Sequence, residues 1–151
     1  MTTRFSVSYT AGSDFDITGL NVSITPSSTD NKILVFARMS FEFNNNDGQD
    51  STYNLRRNGT YIGKTSDGAG NRRTGIAGIA LGYGGLDSSS TPESMAFNYL
   101  DSPNSTDSLT YQVSTQCRYG SVFYVNRAVN DTNNNAYEWL TSSITVMEVA
   151  G

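Results

Sequence analysis

The stretch KILVFARMSFEF, Lys32 to Phe43, decides the fold. Taken at every second residue it gives Ile33, Val35, Ala37, Met39, Phe41 and Phe43. That is an unbroken apolar face, as a strand half-buried on a core requires. The alternate residues are Lys32, Leu34, Phe36, Arg38, Ser40 and Glu42. This second face should meet water, yet Leu34 and Phe36 stand on it.

Outward from this segment the chain keeps the same period. Alternating, β-prone segments predict strands over Arg4–Tyr9, Phe15–Thr25 with a bend at Gly19, Lys32–Phe43, Tyr53–Arg57 and Tyr61–Lys64. They continue over Arg73–Leu81, Glu93–Tyr99, Leu109–Cys117, Val122–Val125 and Ser142–Val149. No window carries a helical apolar stripe with a cap and a stop. Turn clusters such as TPSSTDN, NNNDGQD and LDSPNSTDS divide the strands. Asn58-Gly59 is a strong hairpin signal, because both central turn residues need positive φ. The pattern predicts an all-β, antiparallel β-sandwich of the jelly-roll kind, in a single domain over 1–151.

Composition fits that class. Ser, Thr and Asn number 20, 17 and 15 among 151 residues. Charged residues are only 16%, against about a quarter in an average globular domain. Asn, Ser and Gly fill the many turns such a fold needs. The net charge is −4, and eight Arg and two Lys are scattered. No phosphate-binding face results, so nucleic acid is not expected as a partner. No apolar run reaches the roughly 18 residues of a membrane helix. The N-terminal MTTRFSVSYTAGSDFD lacks an apolar signal core, so synthesis in a cytoplasm without a cleaved signal is expected. The lone cysteine, Cys117, shares a strand face with Leu109, Tyr111, Val113 and Thr115 and is expected to be buried.

The chemistry is spare. With no histidine, the commonest general base and metal ligand are missing, and so is every Ser-His-Asp or Cys-His pair. The carboxylates lie mostly in turn clusters, and no pair is singled out for glycosidic work. The expectation is a protein that is not an enzyme, with no catalytic residue, cofactor or metal. DTNNNAYE, with Asp131, Asn133, Asn135 and Glu138, begins like a calcium loop. It then lacks the glycine at the sixth position and the glutamate at the twelfth.

Several strands are apolar on both faces. The glycine-rich TGIAGIALGYGG has Ile76 and Ile79 on opposite sides, and the last strand puts Ile144 and Val146 against Met147 and Val149. One core has little use for so many two-sided strands. A surface of one sheet is therefore expected to be covered by copies of the chain, through Leu34, Phe36, Ile76, Ile79 and Met147. A closed ring such as a homotrimer suits a wedge-shaped jelly roll. Loops folding over those faces within one chain are the competing explanation. The expected partner-binding loops carry Tyr119, Tyr124, Asn126, Arg127 and Tyr137, where rings offer area and amides hydrogen bonds. Phe123 and Trp139 are expected to pack in the core or an interface.

GLNVSITPSSTDNKILVFARMSF, LRRNGTYIG, FNYLDSPNSTDSLTYQVSTQ and VNRAVNDTNNNAYEWLTSSITVMEVAG, taken together, resemble small virion proteins of tailed bacteriophages of cyanobacteria and marine bacteria. The likeness runs from about Phe15 to Val149. It implies a trimeric jelly roll similar to the tumour-necrosis-factor type, with a structural or adhesive role. Lys32, Asp101, Pro103 and Glu148 match its fixed points and imply turn and interface roles. Fibre members follow a long shaft, whereas here the pattern starts within about fifteen residues and no heptad or Gly-X-Y shaft precedes it. The expectation is a virion-located capsid decoration or cement protein. Its partners are itself and the major capsid protein or another virion protein. The alternative is a tail-fibre tip that recognises a host-surface glycan.

Overall fold

The computed structural model describes residues 1–44, 50–65, 70–78, 89–120 and 122–151. Ten strands form among them: β1 (Phe5–Ser8), β2 (Asp14–Ile24), β3 (Lys32–Phe43), β4 (Ser51–Arg57), β5 (Thr60–Ile62), β6 (Ala77–Gly78), β7 (Glu93–Asp101), β8 (Leu109–Cys117), β9 (Val122–Val125) and β10 (Ser143–Val149). The described residues contain no α-helix.

The strands make two antiparallel sheets packed as a β-sandwich. In the first sheet β3 is central, with β7 along one side. Its other side is shared: β10 pairs with Lys32–Arg38 and β9 with Phe41–Phe43. β1 adds outside β9. In the second sheet the order is β2, β8, β4, with β5 and β6 both paired to the far side of β4.

The two-residue period of β3 sets the layers. Ile33, Val35, Ala37, Met39, Phe41 and Phe43 all point into the core and are buried. Tyr53 and Leu55 of β4 and Tyr111 and Val113 of β8 face them and are fully buried. One end of the core is aromatic: Phe123 stacks on Phe41 with centroids 5.3 Å apart and meets Phe43 edge-on at 4.9 Å. The other end is built on Ile33, Val35, Leu55, Leu109 and Tyr111. Each large side chain so buried is worth about 1.5–3 kcal/mol of transfer free energy. Cys117 lies buried at the aromatic end of the core.

Two local features follow from particular residues. β2 bends where expected: its pairing with β8 passes from Asp16↔Ser114 to Asn21↔Gln112, and Gly19 takes φ 79°. The extra residues turn both Ile17 and Leu20 inward, each fully buried. The Gln112 amide donates to the carbonyls of Ile17 and Leu20, satisfying the bulge. The β4–β5 turn has φ 49° at Asn58 and 82° at Gly59, the positive pair that a tight hairpin requires.

The strand expected over Arg73–Leu81 is realised among the described residues only as β6. A Cβ on Gly75 would lie 2.7 Å from the Tyr53 carbonyl, and Ile76 N–H donates to that same carbonyl at 2.8 Å. The glycine marks a close backbone approach rather than a long strand.

Candidate assembly and binding surfaces

The outer face of the first sheet divides in two. Towards the C-terminal end of β3 the chain covers it. Ser40 and Glu42 point outward yet are buried, because residues 126–142 fold across them. Glu42 accepts from Val129 N–H at 2.7 Å, and the Ser40 hydroxyl donates to the Thr141 carbonyl. Asn126 is the hub. Its amide donates to the carbonyls of Met1 and Thr3 and accepts from Ser142 Oγ–H. Its own N–H reaches Ser40 O, and its carbonyl accepts from Leu140 N–H.

Towards the N-terminal end of β3 the same face is bare. Leu34 stands in register between Leu100 of β7 and Met147 of β10. Phe36 is 42% exposed, and Leu100 and Met147 are each 48% exposed. Beside Phe36, Arg38, Ala96, Asn98 and Ser143 line a shallow depression of about 280 Å³. Three apolar side chains abreast on adjacent strands make a continuous strip, unlike the isolated apolar residues common on surfaces.

The residues expected at a subunit interface therefore separate. Leu34, Phe36 and Met147 share the bare face. Ile76 does not: it packs against the second core cluster, so it serves the sandwich interior. Ile79 lies outside the described residues. Leu100 belongs to the strip but escaped sequence reading, which stopped that strand at Tyr99. The strand runs on to Asp101 because Arg57 and Tyr111 of the other sheet hold that carboxylate.

The expected partner-binding loops also separate. Asn126 is fully buried with its amide engaged internally, which corrects its assignment to a contact loop. Arg127 is turned inward too, donating to the carbonyls of Ala128 and Val129 and pairing with Asp131 at 3.3 Å. Tyr124 is half-buried beneath that guanidinium, and Tyr137 is half-buried. Tyr119 is 47% exposed, with Arg118 over its ring. Phe123 is in the core, whereas Trp139 is 59% exposed on the single chain and so lies outside the core. A Trp in a segment of Asn and Asp gives no periodic sign of which way it faces.

Three carboxylates among the described residues are tied to structural partners. Asp131 of the calcium-like loop is engaged by Arg127 and by the Trp139 indole N–H. Asp14 and Asp16 both pair with Arg56, at 2.7 and 2.9 Å. Among the described residues, no three acidic or cysteine side chains converge to hold a metal ion. No family model and no curated protein matches the chain.

Proposed function

We propose that this protein is a non-enzymatic structural component of a tailed-phage virion, a homotrimeric jelly roll that decorates and reinforces the capsid. One observation carries the assembly: the bare strip of Leu34, Phe36, Leu100 and Met147 on the first sheet. Covering such a strip with a copy of itself removes apolar surface from water, the main driving force of association. The strand order supports the jelly-roll reading. Successive strands from β1 to β4, and again from β6 to β9, alternate between the two sheets. The trimer and the virion rest on the likeness of the ITPSS, RNGT, YLDSP and SSITVME segments to phage proteins.

The test is in two parts. Sedimentation equilibrium should give about three times the 16.4 kDa chain mass. Antibody against the folded protein, followed by gold labelling of intact particles, should place gold across the head. Gold confined to the tail would favour the receptor-binding alternative. A monomer that ignores phage heads would end the decoration reading.

A further inference from the structure

We propose that the hollow beside Phe36 is a socket for a carboxylate side chain of the neighbouring copy, anchored by Arg38. This rests on the assembly proposed above and adds which kinds of surface meet. The hollow has a local cause. Arg38 stands in register between Ala96 of β7 and Ser143 of β10, and Phe36 stands beside Asn98. Two small side chains flank a long one, with Phe36 as a wall, and about 280 Å³ is left open. Three polar groups border this space. The Arg38 guanidinium donates to Thr141 Oγ1 at 2.9 Å and pairs with no carboxylate among the described residues. The Asn98 amide and the Ser143 hydroxyl make no side-chain hydrogen bond among the described residues. Uncommitted donors beside an aromatic wall suit one carboxylate, which a guanidinium takes in bidentate fashion.

The charge pattern indicates where that carboxylate comes from. The bare half of the face is formed by Lys32, Leu34, Phe36 and Arg38 of β3 and the outward residues of β7 and β10 paired with them. Its charged side chains are Lys32 and Arg38, both exposed. The nearby acids are turned elsewhere: Asp101 is held by Arg57 and Tyr111, and Glu148 by Ser27 and Asn31. Over the whole chain the balance is reversed, with 14 acidic against 10 basic residues. Two such faces laid on each other would desolvate cations and offer them no carboxylate. A closed trimer has the other geometry, because its rotation sets a patch against a different patch of the next copy. The strip then meets an acid-bearing surface. Leu34, Leu100 and Met147 supply the apolar area, and Arg38 fixes the register.

Arg38 is exposed and its side chain bonds only to Thr141, so its variants should fold with an unchanged circular dichroism spectrum. Sedimentation equilibrium over a range of protein concentrations reads the association. Arg38→Ala should weaken it about thirtyfold or more, the lower end for truncating one partner of a buried charge pair. Arg38→Glu should give monomers, and Arg38→Lys should keep the assembly. Carbodiimide joins a lysine amine to a carboxylate in contact with it. In Arg38→Lys it should link residue 38 to an Asp or Glu of another chain, as shown by peptide mass mapping of mixed light and nitrogen-15 subunits. Full association of Arg38→Glu, or no interchain link at residue 38, would overturn the socket. Dissociation of Leu34→Asp in the same assay would then leave the strip standing as the interface. A monomeric parent chain would overturn both readings and leave the hollow to a different protein.

Discussion

Asp101 of β7 accepts two hydrogen bonds from the Arg57 guanidinium of β4, at 2.8 and 3.0 Å, and so ties one sheet to the other. Tyr111 of β8 adds a third to the same carboxylate at 2.7 Å. The carboxyl group is buried, so removing one partner strands another polar group. Asp101→Ala should cost about 3–5 kcal/mol of unfolding free energy, as for one partner of a buried ion pair. Tyr111→Phe should cost only about 1–2 kcal/mol, since Arg57 still satisfies the carboxylate. Urea denaturation of both variants checks the order, and equal costs would show that Arg57 is not the principal partner.

The same cluster sets the alkaline limit. Burial, and then the bond to Asp101, push the Tyr111 phenol well above its ordinary value. Burial also raises Tyr53 well above its ordinary value. A phenol with a raised folded pKa favours the folded state fully below the unfolded value, near 10. That contribution disappears as pH rises above about 10 towards the raised folded value. The melting temperature should therefore hold to about pH 9 and fall above 10. Tyr111→Phe should fall less steeply across that window; a parallel decline would remove Tyr111 as a cause.

Asn126 combines a buried amide with φ 62°. Asn126→Ala loses three side-chain bonds and keeps a Cβ in the left-handed region. Asn126→Gly loses the same bonds but relieves the backbone, worth about 1 kcal/mol. Both should destabilise by several kcal/mol, about 1–3 for each orphaned group, with glycine the milder. If alanine is equally mild, the positive φ carries no strain.

How much of this was legible follows from what each signal encodes. The limits of β3, β8 and β9 could be read directly, because two-residue alternation bounded by turn residues leaves one register that buries an apolar face. The bend at Gly19 was legible because glycine alone takes that φ cheaply. Leu34 and Phe36 announced themselves as apolar residues on a polar face. Leu100 did not, because a long-range clamp on Asp101 extends its strand. The surroundings of Asn126 and Trp139 were illegible for the same reason. Their burial depends on how residues 126–142 cross the sheet, and no periodicity encodes that crossing.

Glu148 fastens the β2–β3 turn. It accepts from Asn31 Nδ2 at 2.7 Å and from the N–H and hydroxyl of Ser27 at 2.6 and 2.8 Å. The Asn31 bond first, then those from Ser27, lower the pKa of this exposed carboxyl. Lowered in the folded state, it favours the docked turn above the ordinary glutamate value, about 4.3, and that preference fades as pH falls through the folded value. In a nuclear magnetic resonance titration, the Ser27 amide proton should shift with a midpoint below that value. Glu148→Gln should abolish the transition. Its survival would show that another group drives the transition.

The assembly strip makes the sharpest demand. Leu34 lies between Leu100 and Met147, so one charge there sits in the middle of the apolar surface. Its side chain leaves the sheet on the side away from the core. Leu34→Asp should therefore cost the single chain only about 1 kcal/mol, the span of strand preferences on an outer face. Burying that unpaired carboxylate between copies costs far more. For the proposed trimer, the sedimentation mass should fall about threefold, to that of a monomer, while the far-ultraviolet spectrum stays unchanged. Phe36→Asp should act likewise, and Ile76→Asp should instead unfold the chain, since Ile76 packs on the core. If Leu34→Asp and Phe36→Asp both keep the parent mass, the copies meet through another surface and the strip is left without an occupant.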